Sequence, residues 1–113
     1  MATYAFINSV LPGTVETWKQ GVAEMSGPRR AEYDASRARV GLTTERVWLQ
    51  ATPMGDFAVV YLEAPDIGKV FEGFLTSQDP FDQWFRGKIL IGVHGMNPTA
   101  PPPPMNEPIF ASS

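Results

Sequence analysis

The sequence predicts an α+β fold in which a four-stranded antiparallel sheet carries helices on one face. Two observations support this prediction. The apolar segments follow the order β-α-β-β-α-β along the chain, and a turn of composition Pro53-Met54-Gly55-Asp56 joins the second and third strand-like runs. At 113 residues the chain has the length of a single domain, so one core must serve all of these elements.

The first half of the chain predicts one strand and a long helical stretch. Thr3–Leu11 is rich in aromatic and β-branched residues, as strands are. A helix is expected from about Val15, with Thr14 as its N-cap. Ser26-Gly27-Pro28 either starts a second helix or kinks one long helix, and Gly41 is a natural C-terminal stop. The apolar stripe of this helix recurs every three or four residues: Val15, Trp18, Val22 and Met25.

The second half predicts a hairpin, a helix, a short helical turn and a last strand. Thr43–Thr52 and Phe57–Glu63 alternate in the manner of paired strands. Asp66 is placed to cap the next helix. Phe81–Arg86 follows a break as one or two further helical turns, and the apolar run Lys88–His94 is predicted to be the fourth strand.

The composition excludes several functional classes. The net charge of −3 argues against a nucleic-acid partner. The basic residues Arg29, Arg30, Arg37 and Arg39 alternate with acidic ones, which indicates a solvated helix face. The absence of cysteine and the presence of a single histidine exclude thiolate chemistry and Cys/His metal sites. Without a secretory signal or a run near the ~20 apolar residues of a membrane span, a soluble cytoplasmic protein without a membrane partner is expected.

The tail differs from the rest of the chain. Residues 1–96 are predicted to form the domain, and residues 97–113 a Pro-rich segment in polyproline II or disordered form, with Ile109 and Phe110 as apolar anchors. A flexible or subunit-wrapping tail is favoured over a ligand for an SH3-type domain.

The predicted sheet has one face without a helix, and that face is not polar. In the last strand, Ile89, Ile91 and Val93 would oppose Leu90, so both faces would be apolar. Leaving such a face in water wastes apolar burial and favours aggregation. A second copy of the chain, related by a two-fold axis, is therefore the expected partner.

These features resemble the dimeric α+β barrel superfamily, in which two ferredoxin-like protomers join their sheets into one barrel. The resemblance covers about residues 3–95 and rests on the element order, the Thr43–Glu63 hairpin and the segment Ser77–Phe85. The superfamily includes antibiotic-biosynthesis monooxygenases, haem-degrading oxygenases, polyketide cyclases and muconolactone isomerases, together with members of no known activity. Fold alone therefore does not decide the function. The haem-degrading members use a helical histidine, which this sequence does not predict.

The resemblance implies a pocket between the sheet and the helices, and polar strand residues that point into it are the candidates for chemistry. His94, the single histidine, is the candidate acid/base, and the alternative is a histidine at a strand end that is either exposed or bonded to backbone. Tyr61 could orient a substrate oxygen and Glu63 could be a base of raised pKa. The alternatives are that Tyr61 is an aromatic residue in a cross-strand pair and that Glu63 is a charged residue at the end of a strand. Asn8 could bind a carbonyl group or dioxygen, or else a backbone group.

Aromatic residues supply the candidate pocket wall: Trp48, Phe81, Trp84 and Phe85. The alternative is that they are plain core. Asp82 and Arg86 stand four apart on the short helix and predict a helical salt bridge, and Arg46 is expected in solvent.

Two functions remain open at this point. One is a cofactor-independent, metal-free enzyme that oxygenates, cyclises or isomerises an apolar, aromatic or polyketide-like molecule, with His94 as acid/base and Tyr61 and Asn8 as orienting groups. The other is a non-catalytic dimeric barrel that binds a small ligand or a protein.

Overall fold

A computed structural model describes residues 1–101 and 105–112. The elements in chain order are β1 Ala2–Ser9, α1 Val15–Ser26, α2 Arg30–Val40, β2 Thr44–Thr52, β3 Gly55–Ala64, α3 Ile67–Thr76, α4 Pro80–Phe85 and a π-helix, Arg86–Ile91. The α+β class is therefore confirmed, in a form with a three-stranded sheet in the part of the chain that is described.

The sheet is antiparallel and has the order β1-β3-β2. β3 lies in the centre, with Tyr4 opposite Leu62 on one side and Glu45 opposite Leu62 on the other. The predicted hairpin is confirmed, and Thr52 pairs with Gly55 at its turn. Gly55 has a φ of 123°, a backbone conformation that residues with a Cβ rarely adopt.

The helix boundaries confirm most of the predicted signals. α1 ends at Ser26 and α2 begins at Arg30, so the interruption separates two helices. Gly41 ends α2 with a φ of 75°, the left-handed conformation of a glycine stop. The Asp66 carboxylate accepts a hydrogen bond from the Lys69 amide at 3.2 Å and caps α3. Thr14 is the N-cap residue of α1, as predicted, but its side chain does not cap the helix: the hydroxyl donates back to the Leu11 carbonyl oxygen at 2.7 Å.

The prediction of a fourth strand over Lys88–His94 is wrong. This segment continues α4 without a break as the π-helix and a following turn. A strand would bury Ile89, Ile91 and Val93 together, whereas the structure buries Ile89, Leu90 and Val93 and leaves Ile91 exposed. That spacing is helical, and a short apolar run does not by itself distinguish a buried helix from a strand. The four-stranded sheet that a ferredoxin-like order requires is therefore not formed by the described residues, whose sheet has three strands.

The two faces of the sheet have different environments. The helix face packs against the helices and forms the core with residues of α2, α3, α4 and the π-helix. On the strands, the helix face consists of Tyr4, Phe6, Asn8, Glu45, Val47, Leu49, Ala58, Val60 and Leu62. The opposite face, which we call the open face, carries Ala5, Ile7, Arg46, Trp48, Phe57, Val59, Tyr61 and Glu63.

A cluster of polar side chains around the buried Asp82 joins α2 to α4. The Asp82 carboxylate accepts hydrogen bonds from Ser36 Oγ at 2.5 Å, Ser77 Oγ at 2.6 Å and the Arg39 guanidinium at 3.0 Å. The predicted Asp82–Arg86 salt bridge is therefore wrong: Arg86 donates instead to the carbonyl oxygens of Phe74 and Ser77. We call Ser36, Arg39, Ser77 and Asp82 the polar joint.

The tail is described in part. Pro102–Pro104 lie outside the described residues, so the polyproline prediction is untested there. Residues 105–112 are exposed and have no helix or strand. Ile109 and Phe110 are not buried against the domain, while the Asn106 side-chain amide donates to the Ala5 carbonyl oxygen on the free edge of β1. Over the ranges 1–101 and 105–112, the helices are too short or too polar to cross a bilayer.

Candidate functional site

A cavity of about 360 Å³ lies between the helix face of the sheet and the surrounding helices. Its volume falls within the range of small-molecule sites. Aromatic and aliphatic side chains make up most of its wall, among them Phe6, Trp18, Phe71, Phe74, Phe85 and Ile89. Polar groups enter at two places, described in turn below. The site is therefore shaped for an apolar molecule with few polar groups.

His94 lines the cavity beside the end of β1. Its Nδ1 lies 2.9 Å from the Ser9 carbonyl oxygen. Because a carbonyl can only accept, Nδ1 carries the proton and Nε2 is the basic nitrogen of the neutral ring. The indole of Trp18 packs edge-on against the imidazole, with 5.4 Å between ring centroids. Burial lowers the pKa of His94, an effect that the bond to Ser9 partly offsets, so the ring is neutral near pH 7.

Asn8 lies at the same end of the cavity, on the helix face of β1. It stands opposite Ala58 in the sheet and is half-buried. Within the described part of the chain, its side-chain amide has no hydrogen-bond partner, so both its donor and its acceptor groups remain available to a ligand. His94 and Asn8 thus form a base with a neighbouring hydrogen-bonding group.

The second polar place is built by Tyr33 and Glu45. The Tyr33 hydroxyl donates to Glu45 Oε1 at 2.7 Å. Arg37 binds the same carboxylate with Nε at 2.8 Å from Oε1 and a terminal nitrogen at 3.3 Å from Oε2. Burial, and then the charge of Glu45, raise the pKa of Tyr33, so its hydroxyl stays protonated. Both Tyr33 and Glu45 line the cavity.

Arg37 corrects one expectation about the helix surface. Only 5 % of its side chain is exposed, so it does not belong to a solvated basic face. Its guanidinium carbon lies 4.7 Å from the Phe74 ring centroid and 4.4 Å from that of Phe85. Stacking on these rings and pairing with Glu45 compensate the loss of water around the charge.

The two polar places lie at opposite corners of the cavity floor. Asn8 stands opposite Ala58 on β3, and Glu45 stands opposite Leu62 on the other side of β3. Four residues along a strand span about 13 Å, and two strand spacings add about 10 Å across the sheet. A single small polar group therefore cannot contact both.

The other residues proposed from the sequence are distributed over three environments. Phe85 lines the cavity, Phe81 is fully buried in the core, and Trp84 packs partly buried against it. Trp48, Tyr61 and Glu63 lie on the open face, away from the cavity.

Tyr61 and Glu63 do share one strand face, and they bind each other: the Tyr61 hydroxyl donates to Glu63 Oε2 at 2.8 Å. The pKa of Glu63 is lowered by hydrogen bonds from Thr44 and Tyr61. The expectation of a raised pKa is therefore wrong, because the carboxylate lies on an accessible face and accepts donors in its charged form. Arg46 is exposed on the same face, as expected.

Tyr33 and Glu45 are the site residues that the sequence analysis missed. One signal was present: Glu45 alternates with Val47 and Leu49, so a charged residue occupies the apolar face of a strand. A buried carboxylate of this kind needs a partner, and Arg37 is that partner.

No protein-family model, no curated protein and no solved structure matches this chain. The resemblance to the dimeric α+β barrels accordingly stays a prediction, and the function must be argued from the site. In the described ranges, histidine, aspartate and glutamate side chains do not gather in threes as a metal ion would require.

Proposed function

We propose that this chain is a small cofactor-independent enzyme that moves a proton on an apolar molecule held in the cavity, with His94 as the base. The observation that carries the proposal is the His94 imidazole on the wall of an apolar cavity, with its tautomer fixed by Ser9. At the same end lies the Asn8 amide, which has no hydrogen-bond partner among residues 1–101 and 105–112. A base of low pKa held in one tautomer is suited to accept a proton at neutral pH.

The chemistry begins with a carbon acid, such as a C–H group beside a carbonyl. The proton passes to His94 Nε2, the C–H bond breaks, and its electron pair moves onto the carbonyl oxygen as an enolate. The Asn8 amide N–H donates to that oxygen and stabilises the developing charge. Return of the proton to another carbon gives an isomerisation, and attack of the enolate carbon on a second carbonyl of the same molecule gives a cyclisation. With dioxygen as co-substrate, an enolate or phenolate of this kind is the starting point of monooxygenation.

The alternative is a non-catalytic protein that binds the same kind of molecule. The cavity supports this function as well, since an apolar wall with few polar groups is what a binding site requires. The two functions differ only in whether His94 accepts a proton from the ligand.

Hydrogen exchange tests the difference directly. In heavy water, NMR would follow the loss of the α-protons of α-tetralone, an apolar aromatic ketone, with wild type, His94→Gln and Tyr61→Phe. Exchange above the buffer rate in wild type and Tyr61→Phe, but not in His94→Gln, is the expected result. Because His94 is the one histidine of the chain, its ring signals also report occupancy of the cavity. Ring signals that shift with ligand while no variant exchanges protons favour the binding function, and equal exchange in His94→Gln refutes the role of His94.

We also propose that the open face is covered by a second copy of the chain. Ile7, Val59 and Trp48 lie side by side across the three strands, and Ile7 and Trp48 are 65 % and 52 % exposed. Arg46 and Glu63 lie on the same face, so a two-fold axis can set the arginine of one copy against the glutamate of the other. Charge complementarity of this kind favours a copy of the same face as the occupant.

Sedimentation of Trp48→Asp and Ile7→Asp tests the dimer. Both variants are expected to sediment as monomers at concentrations where wild type is a dimer. Ile91→Asp is the control, because Ile91 lies on the π-helix and not on the open face. A monomeric wild type, or dimeric Trp48→Asp and Ile7→Asp variants, would refute the interface.

A further inference from the structure

The Tyr33–Glu45 corner of the cavity has the composition of a ligand subsite. It lies across the cavity floor from His94 and takes no part in the proton transfer described above. The Glu45 carboxylate is held in position by two nitrogens of Arg37. The Glu45 side chain nevertheless remains 13 % exposed. Rigid polar groups at the end of an apolar cavity determine which ligands are bound and in which orientation.

The corner can accept hydrogen bonds but has few donors to offer. A carboxylate has about four acceptor positions, and three of those on Glu45 are used by Tyr33 and Arg37. Oε2 receives one of these bonds and keeps a free acceptor position. The Tyr33 hydroxyl uses its proton on Glu45, and its oxygen interacts with the Arg37 guanidinium, so the acceptor that the corner offers to a ligand is Glu45 Oε2. A ligand group that binds here must therefore be a donor.

The charges decide which donor fits. Arg37 neutralises Glu45, and the Arg30 guanidinium, which pairs with Asp34 at 2.9 Å, has its central carbon 5.7 Å from the Tyr33 ring centroid. An ammonium group would add an uncompensated positive charge beside two guanidinium groups. A carboxylate would face Glu45 and find no free donor on it. A neutral hydroxyl group can donate to Glu45 Oε2 without adding a positive charge beside the guanidinium groups or a negative charge beside Glu45.

We infer that the Tyr33–Glu45 corner is a second subsite that binds a neutral hydroxyl group, so that the ligand is an elongated hydroxylated aromatic molecule. Its apolar body lies along the aromatic wall, its reacting end meets His94 and Asn8, and its hydroxyl donates to Glu45 Oε2. The inference rests on the proposed function only in that the ligand occupies the cavity. It requires no catalysis by His94.

Matched biphenyl probes test the inference on the wild-type protein by titration calorimetry. The probes are para-phenylphenol, with a hydroxyl at one end, para,para′-biphenol, with one at each end, and the monomethyl ether of the biphenol. A hydrogen bond to a charged acceptor predicts that the biphenol binds about tenfold more tightly than the other two. The ether has the size of the biphenol but lacks the second donor, so it separates hydrogen bonding from shape.

Two variants locate the effect. Glu45→Gln replaces the free acceptor by an amide and is expected to reduce the tenfold preference to about twofold or less. Glu63→Gln is the matched control, because Glu63 also accepts a tyrosine hydroxyl but lies on the open face, and it should leave the preference unchanged. If Glu45→Gln does not fold, the comparison of the three probes on wild type still decides the question.

The outcomes separate this inference from the proposed function. Equal affinities for all three probes refute the subsite and leave the cavity intact as a binding site. Absence of binding by every probe refutes both together. Tighter binding of the matching amine or carboxylate than of the biphenol refutes the assignment of a neutral hydroxyl.

Discussion

Replacing Asp82 by asparagine tests whether the polar joint stabilises the fold. Asp82 is buried on α4 and accepts three hydrogen bonds, two from α2 and one from Ser77 after α3. Asparagine has nearly the same shape, so the change removes charge and one acceptor oxygen without opening a cavity. The new amide group must face either the Arg39 guanidinium or a serine hydroxyl, and the former would set donor against donor.

The expected cost follows from the number of bonds affected. A hydrogen bond to a charged group contributes roughly 1.5–3 kcal/mol. Loss of one such bond, with the other two weakened by loss of the charge, lowers the free energy of unfolding by about 3 kcal/mol. With an m-value of about 1.5–2 kcal/mol/M in urea, the unfolding midpoint falls by about 1.5–2 M.

Urea unfolding of wild type, Asp82→Asn and Asp34→Asn at pH 7 provides the measurement. Asp34 pairs with Arg30 on the surface, and 59 % of its side chain is exposed, so that variant should change the free energy of unfolding by less than about 0.5 kcal/mol. The reasoning fails if Asp82→Asn costs no more than this control.

The pH dependence gives an independent check on the same carboxyl group. Burial alone would raise the pKa of Asp82, but the hydrogen bonds from Ser36, Ser77 and Arg39 outweigh burial and lower it. A pKa that is lower in the folded state than the unfolded value of about 3.9 stabilises the fold above that pH. This stability is lost as the pH falls through the folded pKa. The difference in the free energy of unfolding between wild type and Asp82→Asn should therefore become smaller as the pH falls through the folded pKa of Asp82.

Two further predictions concern His94 and a pair of glycines. Burial lowers the pKa of His94 in the folded state, so wild type should lose stability as the pH falls below the unfolded pKa of about 6.5. His94→Gln should lack this loss. Unfolding of both proteins by urea at pH 7.5 and pH 5 measures the difference. A Cβ on Gly73 would overlap the Val40 side chain, which is stiff, so Gly73→Ala should cost about 1–3 kcal/mol. Gly87 has open space around its Cβ position, and Gly87→Ala should stabilise by about 0.5–1 kcal/mol on thermal unfolding. Equal effects of the two alanines would contradict the packing argument.

Local signals in the sequence predicted the boundaries of the elements well, because short-range chemistry fixes them. The Asp66 cap and the left-handed Gly41 each depend on atoms within a few residues. The run Ile89–Val93 carries no such signal: its β-branched residues favour a strand, and its environment decides otherwise. α4 begins at Pro80, and its N-cap Asp79 accepts a hydrogen bond from the Phe81 amide at 3.0 Å. No residue between Phe85 and Ile91 stops the helical conformation.

The candidate site could be predicted only in part, because alternation shows which strand residues share a face but not which face meets the helices. In β3, the sequence analysis proposes Tyr61 and Glu63 as the residues that point into the pocket. The structure instead places the smaller Ala58 and Val60 against the helices. Tyr61 and Glu63 therefore lie opposite the cavity. The pairing of Glu45 with Arg37 joins β2 to α2 and could not be read from either segment alone.

The free edge of β1 connects the missing strand to the proposed chemistry. A fourth strand along this edge would pair with outward-facing carbonyl groups such as those of Ala5 and Ser9. In this chain, side chains donate hydrogen bonds to these two carbonyl groups: the Asn106 amide donates to the Ala5 oxygen, and the His94 ring donates to the Ser9 oxygen. The π-helix brings His94 to that edge, where the Leu11 amide also bonds to the Val93 carbonyl at 2.8 Å. The carbonyl left unpaired by the sheet is thus the group that fixes the histidine tautomer and makes Nε2 the basic nitrogen.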